Sequence, residues 1–315
     1  MCTALSFSGF THCFGRNLDL ECSCGQSVAV TPRHYPFAFR SGETLSRHHA
    51  MIGMAYVAAG YPLYFEATNE CGLSAAGLNF PKSCVYHPRR AHKTNLASFE
   101  LIPWLLGRCA TLAEARAALE TVNLTAEPFA PHFPVTPLHW LVADKTGALV
   151  VESTADGLQI YENETGVLTN EPPFPFHRAN LQQYGALTPE EPDIPAFSRG
   201  MGSCGLPGGL DSASRFVRAA FTARYALPGT SEAETVSRFF RILDVVAQTR
   251  GCCHLGGEDF EETLYSSCCT EGGVYYYTTA TNRSLTAVDM HRENLDGETV
   301  VSYPLQTALR VELQN

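Results

Sequence analysis

Three features of this sequence predict an α+β fold in which antiparallel sheets carry helices on their outer faces. The strand-like and helix-like segments run in the order strands, helices, strands, helices, strands, without strict β-α-β-α alternation. The strand-like runs are short and separated by Pro, Gly and polar clusters, as hairpins require. Apolar residues make up 45% of the 315 and charged residues 17%, which provides for a large buried core. No Pro- or Ser-rich linker marks a boundary, so residues 1–315 read as one domain.

Residues 3–7 and 12–16 are strand candidates around a turn at Ser8-Gly9. Such a hairpin brings Arg16 and Asp19 back near residue 2. Further strands are expected at Ser27–Thr31, Ala50–Ala55, Tyr61–Phe65 and Leu73–Leu78. Residues 98–107 and 111–122 read as helices, capped by Ser98 and Thr111, with Glu100 and Glu114 in their first turns. Pro103 falls inside the first and is expected to kink it. Residues 124–138 hold four prolines and two phenylalanines and read as loop. Strands resume at His139–Ala143, Leu149–Ser153, Leu158–Glu162 and Val167–Thr169, followed by a short helix near 178–185. A long irregular stretch, 186–210, is expected to be functional, because loops of that length are uncommon in compact enzymes. Helices at 211–225 and 231–248 and strands at Leu264–Cys269, Val274–Thr279 and Leu285–Met290 complete the reading.

The net charge of −10, from 22 basic and 32 acidic residues, argues against a general nucleic-acid binder. No apolar run approaches the roughly 20 residues needed to cross a bilayer, so no membrane span is expected. Residues 1–20 lack the basic start and apolar run of a secretory signal. Twelve cysteines in such a chain point to reduced thiols and a cytoplasmic location.

The chemistry centres on Met1-Cys2-Thr3. The small Cys2 side chain permits removal of Met1, which leaves a first residue with both a thiol and a free α-amine. Their reference pKa values are about 8.5 and 7.7–8.0. Thiolate is the reactive form, and an N-terminal amine can activate its own nucleophile. Arg16 and Asp19 could fix the charges of such a pair or could form an ordinary surface pair. Asn79 and Asn170 stand at strand ends, where Asn is a common turn residue but can also offer donors to an oxyanion.

Rival chemistries are weaker. Cys22-x-Cys24, Cys252-Cys253-His254 and Cys268-Cys269 lack the usual spacing of a zinc site, and adjacent residues of a strand point to opposite faces. The glycine-rich stretch 200–209 lacks the Gly-Lys-Ser/Thr ending of a phosphate loop. The histidines, among them His12, His87, His139 and His254, carry no catalytic signature, and His139-Trp140 reads as core.

Several ordered motifs together resemble the choloylglycine hydrolase family of N-terminal nucleophile hydrolases, which includes bile salt hydrolases and penicillin V acylases. They are Met1-Cys2-Thr3, Phe14-Gly15-Arg16-Asn17-Leu18-Asp19, Asn69-Glu70-x-Gly72-Leu73, Ala76-Gly77-Leu78-Asn79-Phe80, Leu138-His139-Trp140, Gly166-Val167-Leu168-Thr169-Asn170, Gly205-Leu206-Pro207-Gly208, Ser214-Arg215-Phe216 and Tyr275-Tyr276-Tyr277. The resemblance implies a four-layer αββα sandwich of two antiparallel sheets. It implies Cys2 as nucleophile, with its amine as base and then acid, Asp19 holding the amine, and Arg16 beside the thiol. Asn170 (side chain) and Asn79 (backbone N–H) would form an oxyanion hole, and Arg215 would complete the network. No metal or cofactor is called for.

The implied reaction is hydrolysis of glycine- or taurine-conjugated bile acids through a thioester, with penicillin V or acyl-homoserine-lactone acylase as the alternative. Asn79, where penicillin V acylases resemble one another in having Tyr, favours the first. The positions matching the family's steroid pocket are Leu18, Ala58, Phe65, Phe129, Phe133 and Leu138. Ser198 and Arg199 resemble the variant linked with taurine conjugates, on a loop that crosses to a neighbouring subunit's site in this family. A homotetramer is therefore expected.

Overall fold

The computed structural model describes residues 1–194 and 199–315. In chain order the strands are β1 (Cys2–Ser8), β2 (His12–Leu20), β3 (Ser27–Thr31), β4 (Phe37–Ala38), β5 (Thr44–Leu45), β6 (Met51–Ala58), β7 (Tyr61–Asn69), β8 (Ser74–Asn79), β9 (Thr94–Ala97) and β10 (Val122–Thr125). They continue with β11 (Leu138–Asp144), β12 (Gly147–Thr154), β13 (Gly157–Glu162), β14 (Val167–Leu168), β15 (His254–Gly256), β16 (Asp259–Phe260), β17 (Glu262–Thr270), β18 (Val274–Thr279), β19 (Thr286–Asp289) and β20 (Val301–Pro304). The α-helices are α1 (Leu101–Arg108), α2 (Leu112–Leu119), α3 (Phe174–Gln182), α4 (Ser212–Tyr225) and α5 (Glu232–Asp244).

Two antiparallel sheets carry the architecture. One has six strands in the order β14-β1-β2-β17-β18-β19, the other eight in the order β13-β12-β11-β8-β7-β6-β3-β20. Strand alternation sends neighbouring residues to opposite faces. Leu141, Ala143 and Val150 pack into the core shared with Leu5, Phe14 and Leu18 of the smaller sheet. Trp140, Val142, Leu149 and Val151 point the other way, onto Leu101, Leu105 and Leu119 of α1 and α2. Helix α5 lays Val236, Phe239, Phe240 and Leu243 against the smaller sheet's core, at helical spacing. The result is an α+β sandwich with two sheets between helical layers. Each large apolar side chain so buried is worth about 1.5–3 kcal/mol.

Local chemistry explains where the observed elements depart from the sequence expectation. Thr111, Asp211 and Ser231 cap α2, α4 and α5 by accepting from the N–H three residues on. Ser98 caps nothing. It lies in a 3-10 turn, and the Glu100 carboxylate instead accepts the N–H groups of Ala97 (2.8 Å) and Arg40 (2.6 Å). Pro103 is the third residue of α1, where its missing N–H would have no intrahelical partner in any case. Helix α3 begins at Phe174, not near 178, because Pro175 sits in its first turn, where proline is tolerated. The chain also pairs β9 with β10 in parallel across α1 and α2 and adds β20 to the edge of the larger sheet, neither of which was expected.

Candidate active site

The hairpin β1–β2 places Cys2 opposite Leu18, Thr3 opposite Asn17 and Ala4 opposite Arg16. Cys2 and Arg16 therefore share one face of the sheet, and Thr3, Asn17 and Asp19 the other. The register depends on Gly15. A Cβ there would stand 2.0 Å from the Ser267 carbonyl oxygen of β17. On the other side, Gly166 takes a left-handed φ of 66° and its carbonyl accepts the Ser6 N–H at 2.8 Å, which seats β14 beside β1.

The Cys2 backbone is held by two buried side chains, those of Asn170 and Arg215. Its N–H donates to Asn170 Oδ1 at 2.8 Å. Arg215, on α4, donates from Nη2 to the same oxygen at 2.9 Å and from Nη1 to Thr3 Oγ1 at 2.7 Å and to the Cys2 carbonyl. Asn170 Nδ2 donates to the Asn79 carbonyl at 2.8 Å. Asp19 accepts from Thr263 Oγ1 at 2.6 Å through Oδ1, and its buried Oδ2 has no partner among the described residues. Burial pushes the Asp19 pKa up, against the opposing pull of Arg215, the Thr263 hydrogen bond, the N-terminal charge and Arg16. Burial likewise lowers Arg215, against Asp19 and Cys2.

Met1 occupies a defined place. Its ammonium donates to the Asp19 carbonyl at 2.6 Å and pairs with Glu261, while its carbonyl accepts the Asp19 N–H at 2.9 Å. Burial lowers the pKa of this amine, and Cys2 and Asp19 raise it in opposition.

Arg16 is 1% exposed and spans the two sheets: Nη1 donates to the carbonyls of Gly77 (2.6 Å) and Phe65 (3.3 Å). Burial alone would lower its pKa, but Cys2, Tyr265, Glu66 and Asp19 together raise it, so the guanidinium stays charged. Glu66, 3.9 Å away, accepts hydroxyl bonds from Tyr275 (2.5 Å), Tyr265 (2.8 Å) and Ser267 (2.9 Å). Its pKa is raised by burial and held back by Arg16 and these hydroxyls. The sequence reading missed Glu66, although a lone carboxylate in the apolar run of β7 was a signal. It also missed what the motif tyrosine Tyr275 binds.

Asn79 lies on the last turn of the ladder between β8 and β11, opposite Leu138. Phe80 N–H donates to the Pro137 carbonyl, and Leu138 N–H is taken by Tyr86 Oη. The pair 79/138 is thus a non-hydrogen-bonded one, so the N–H and carbonyl of Asn79 both turn away from β11, to the side where Asn170 stands.

Beside this network opens an apolar cavity of about 390 Å³. Of the residues expected in the pocket, Phe65, Phe129, Phe133 and Leu138 line it. Phe129 packs on Phe133 and Phe99 at centroid distances of 5.3 and 5.5 Å. Leu18 and Ala58 are not among its lining residues: Leu18 is buried across from Cys2, and Ala58 ends β6 at the turn to Tyr61. Tyr56, Leu63, Phe99 and Trp140 line it without any sequence signal, since they come from separate strands and a helical turn. The cavity abuts Arg16 and Asn79 through shared residues: Arg16 binds the carbonyls of its wall residues Phe65 and Gly77, and wall residue Leu138 pairs with Asn79. Arg199 is exposed, and Ser198 lies outside the described residues.

Two facing antiparallel sheets between helical layers, with a buried cysteine at the start of the first strand, define the class of N-terminal nucleophile hydrolase folds. The chain belongs to the choloylglycine hydrolase family of linear amide C–N hydrolases, matched over residues 2–303. It is 45% identical to a bile salt hydrolase/transferase of Lactiplantibacillus plantarum, over 98% of both chains. It is 37% identical to a bile salt hydrolase/transferase of Clostridium perfringens, over the whole of both. The crystal structure of a variant of conjugated bile acid hydrolase from Clostridium perfringens superposes with a TM-score of 0.92, covering all of both chains at 35% identity.

Proposed function

We propose that the chain hydrolyses the amide bond of bile acids conjugated to glycine or taurine, with Cys2 as N-terminal nucleophile after loss of Met1. The observation that carries this reading is the environment of the Cys2 nitrogen. It already bonds Asn170 Oδ1 at 2.8 Å, and it becomes a free amine once Met1 is removed. The unpartnered Asp19 Oδ2 is a ready acceptor for the protons that the amine then carries. The names of the two bacterial relatives supply the substrate class, and the apolar cavity suits a rigid steroid body.

The steps follow from the groups present. The Cys2 amine takes the thiol proton, with the Arg16 guanidinium on the same face of the sheet. Attack on the amide carbonyl forms a tetrahedral oxyanion. An asparagine NH2 has two hydrogens. One is on the Asn79 carbonyl, which leaves the other for the oxyanion beside the Asn79 N–H. The amine returns its proton to the leaving glycine or taurine nitrogen, and water then cleaves the thioester. Arg215 holds the Cys2 carbonyl and Asn170 together.

Three finer assignments belong to the same proposal. The enzyme is a homotetramer, with the loop 186–210 reaching a neighbouring site. It prefers taurine conjugates through Arg199. It works in the cytoplasm, in keeping with twelve free cysteines. The test is a comparison of rates on taurocholate, glycocholate and penicillin V with processed protein. Bile acid release well above penicillin V cleavage is expected. The reverse order overturns the substrate assignment.

A further inference from the structure

Asn170 is held from behind by groups to which the mechanism assigns no part. Strand β14 is only two residues long, pairing Val167 with Leu5 and Leu168 with Ala4. Past Leu168 the ladder stops, so the carbonyls of Thr169 and Asn170 have no strand partner, and buried carbonyls need one. Two buried imidazoles supply it. His139 Nε2 donates to the Thr169 carbonyl at 3.0 Å, and His177 Nε2 donates to the Asn170 carbonyl at 2.9 Å. The Asn170 N–H is taken by Ser212 Oγ at 2.9 Å. Both polar groups of the Asn170 backbone and the carbonyl before it are thereby fixed.

The rings are themselves fixed. His139 Nδ1 lies 3.1 Å from Glu152 Oε1, directly across the β11–β12 ladder, and neither residue has any exposed surface. The same Oε1 accepts the Phe174 N–H at 2.9 Å, which anchors the first residue of α3, and His177 stands one turn along that helix. One carboxylate therefore sets His139 directly and His177 through α3. Stacking fixes the ring planes: His139 on Phe80 at 4.3 Å and 7°, His177 on Phe216 at 5.0 Å and 24°. Phe80 follows Asn79 and Phe216 follows Arg215, so each ring is tied to another arm of the site. The arrangement leaves Glu152 Oε2 and His177 Nδ1 buried without partners among the described residues, a cost that a purely structural core would avoid.

We propose that His139, His177 and Glu152 are positioning residues: a buried clamp that fixes the peptide groups on both sides of Asn170 and so aims its side chain at the developing oxyanion. The inference rests on the role given to Asn170 above. The clamp touches neither substrate nor thiol. Its loss lowers turnover and leaves ground-state binding alone, since a misplaced donor is felt most in the transition state.

The test uses the processed enzyme with His139→Phe and His177→Phe, which keep the ring stacking and remove the donor. Folding is checked by circular dichroism. The expected result is a fall in kcat of about tenfold to hundredfold, with KM within about twofold. Glu152→Ala, which removes the oxygen shared by the Phe174 N–H and His139 Nδ1, should lower kcat in the same way. If His139→Phe or His177→Phe does not fold, His139→Asn or His177→Asn, too short to reach the carbonyl, is read the same way. An unchanged kcat in folded variants, or a loss carried by KM, overturns the clamp. Cys2→Ala is run in parallel. Turnover surviving there overturns the nucleophile assignment, whereas an inactive Cys2→Ala beside unchanged clamp variants overturns the clamp alone.

Discussion

At the scale of single residues, the site is a set of buried polar groups whose partners are specific. Asn170 is the clearest case: one side chain meets Cys2, Arg215 and Asn79. Asn170→Ala removes the proposed oxyanion donor and leaves the Arg215 Nη2 without its acceptor. A loss of about 100- to 1000-fold in kcat is expected in steady-state assays of amide cleavage. A loss below tenfold would remove Asn170 from the oxyanion role. His12 gives a prediction about stability. Burial lowers its pKa from 6.5 to about 4, and its Nε2 lies 2.9 Å from Ser6 Oγ. Above pH 6.5 neither state binds the extra proton. Between 6.5 and 4 the unfolded chain binds it and the folded one does not, so stability falls as pH drops through that window. The whole effect is about 3 kcal/mol. Urea midpoints at pH 7 and pH 4.5 should converge or cross between the parent and His12→Gln, the parent losing more on acidification. Cys2, Arg16, Asp19, Asn79, Asn170 and Arg215 were all legible in the sequence, but only through motifs in their order. Glu66, Glu152 and His177 were not, because their partners come from distant strands and burial alone reveals what they bind.

At the scale of elements, close backbone approach decides the register of β2. Gly15→Ala sets a methyl group against the Ser267 carbonyl of β17, with no flexible side chain to yield. Overpacking of this kind costs about 1–3 kcal/mol, so a lower thermal midpoint is expected, together with reduced activity, since Arg16 is the next residue. An unchanged midpoint would mean that β2 and β17 separate without cost. The short strands and the helices were legible from alternation and turn residues, and the cap read at Thr111 is present, whereas the caps at Asp211 and Ser231 emerged only from the structure. The start of α3 was not, because the prolines at 172, 173 and 175 read as loop, although the last of them is compatible with a first helical turn. Two-residue strands such as Phe37–Ala38 and Thr44–Leu45 carry too little pattern to be read at all.

At the scale of the whole molecule, strand order and the cavity are properties of assembly. The eight-stranded order ends with β20 beside β3, a pairing between residues 301–304 and 27–30 that no local pattern announces. The pocket is assembled in the same way. Its Phe129–Phe133 wall comes from a proline-rich loop, and its floor from β7, β8 and β11. No helix of the described residues is long and apolar enough to cross a membrane. For the proposed assembly, light scattering should give four times the 34.4 kDa chain, and a monomer would remove the neighbouring-loop role from residues 186–210. Arg199→Ala should lower the taurocholate rate relative to the glycocholate rate. An unchanged ratio would detach specificity from that guanidinium.

Under the proposed function, Cys2 acts only as a first residue. Met1 now holds the Asp19 carbonyl and N–H and pairs with Glu261, and the Cys2 nitrogen is an amide that cannot serve as a base. The most direct measurement is intact mass paired with turnover of a conjugated bile acid, on protein prepared with Met1 retained and with Met1 removed. Turnover is expected only in the preparation lighter by one methionine residue, and none in its Cys2→Ala counterpart. Full turnover by the chain that keeps Met1 would contradict it.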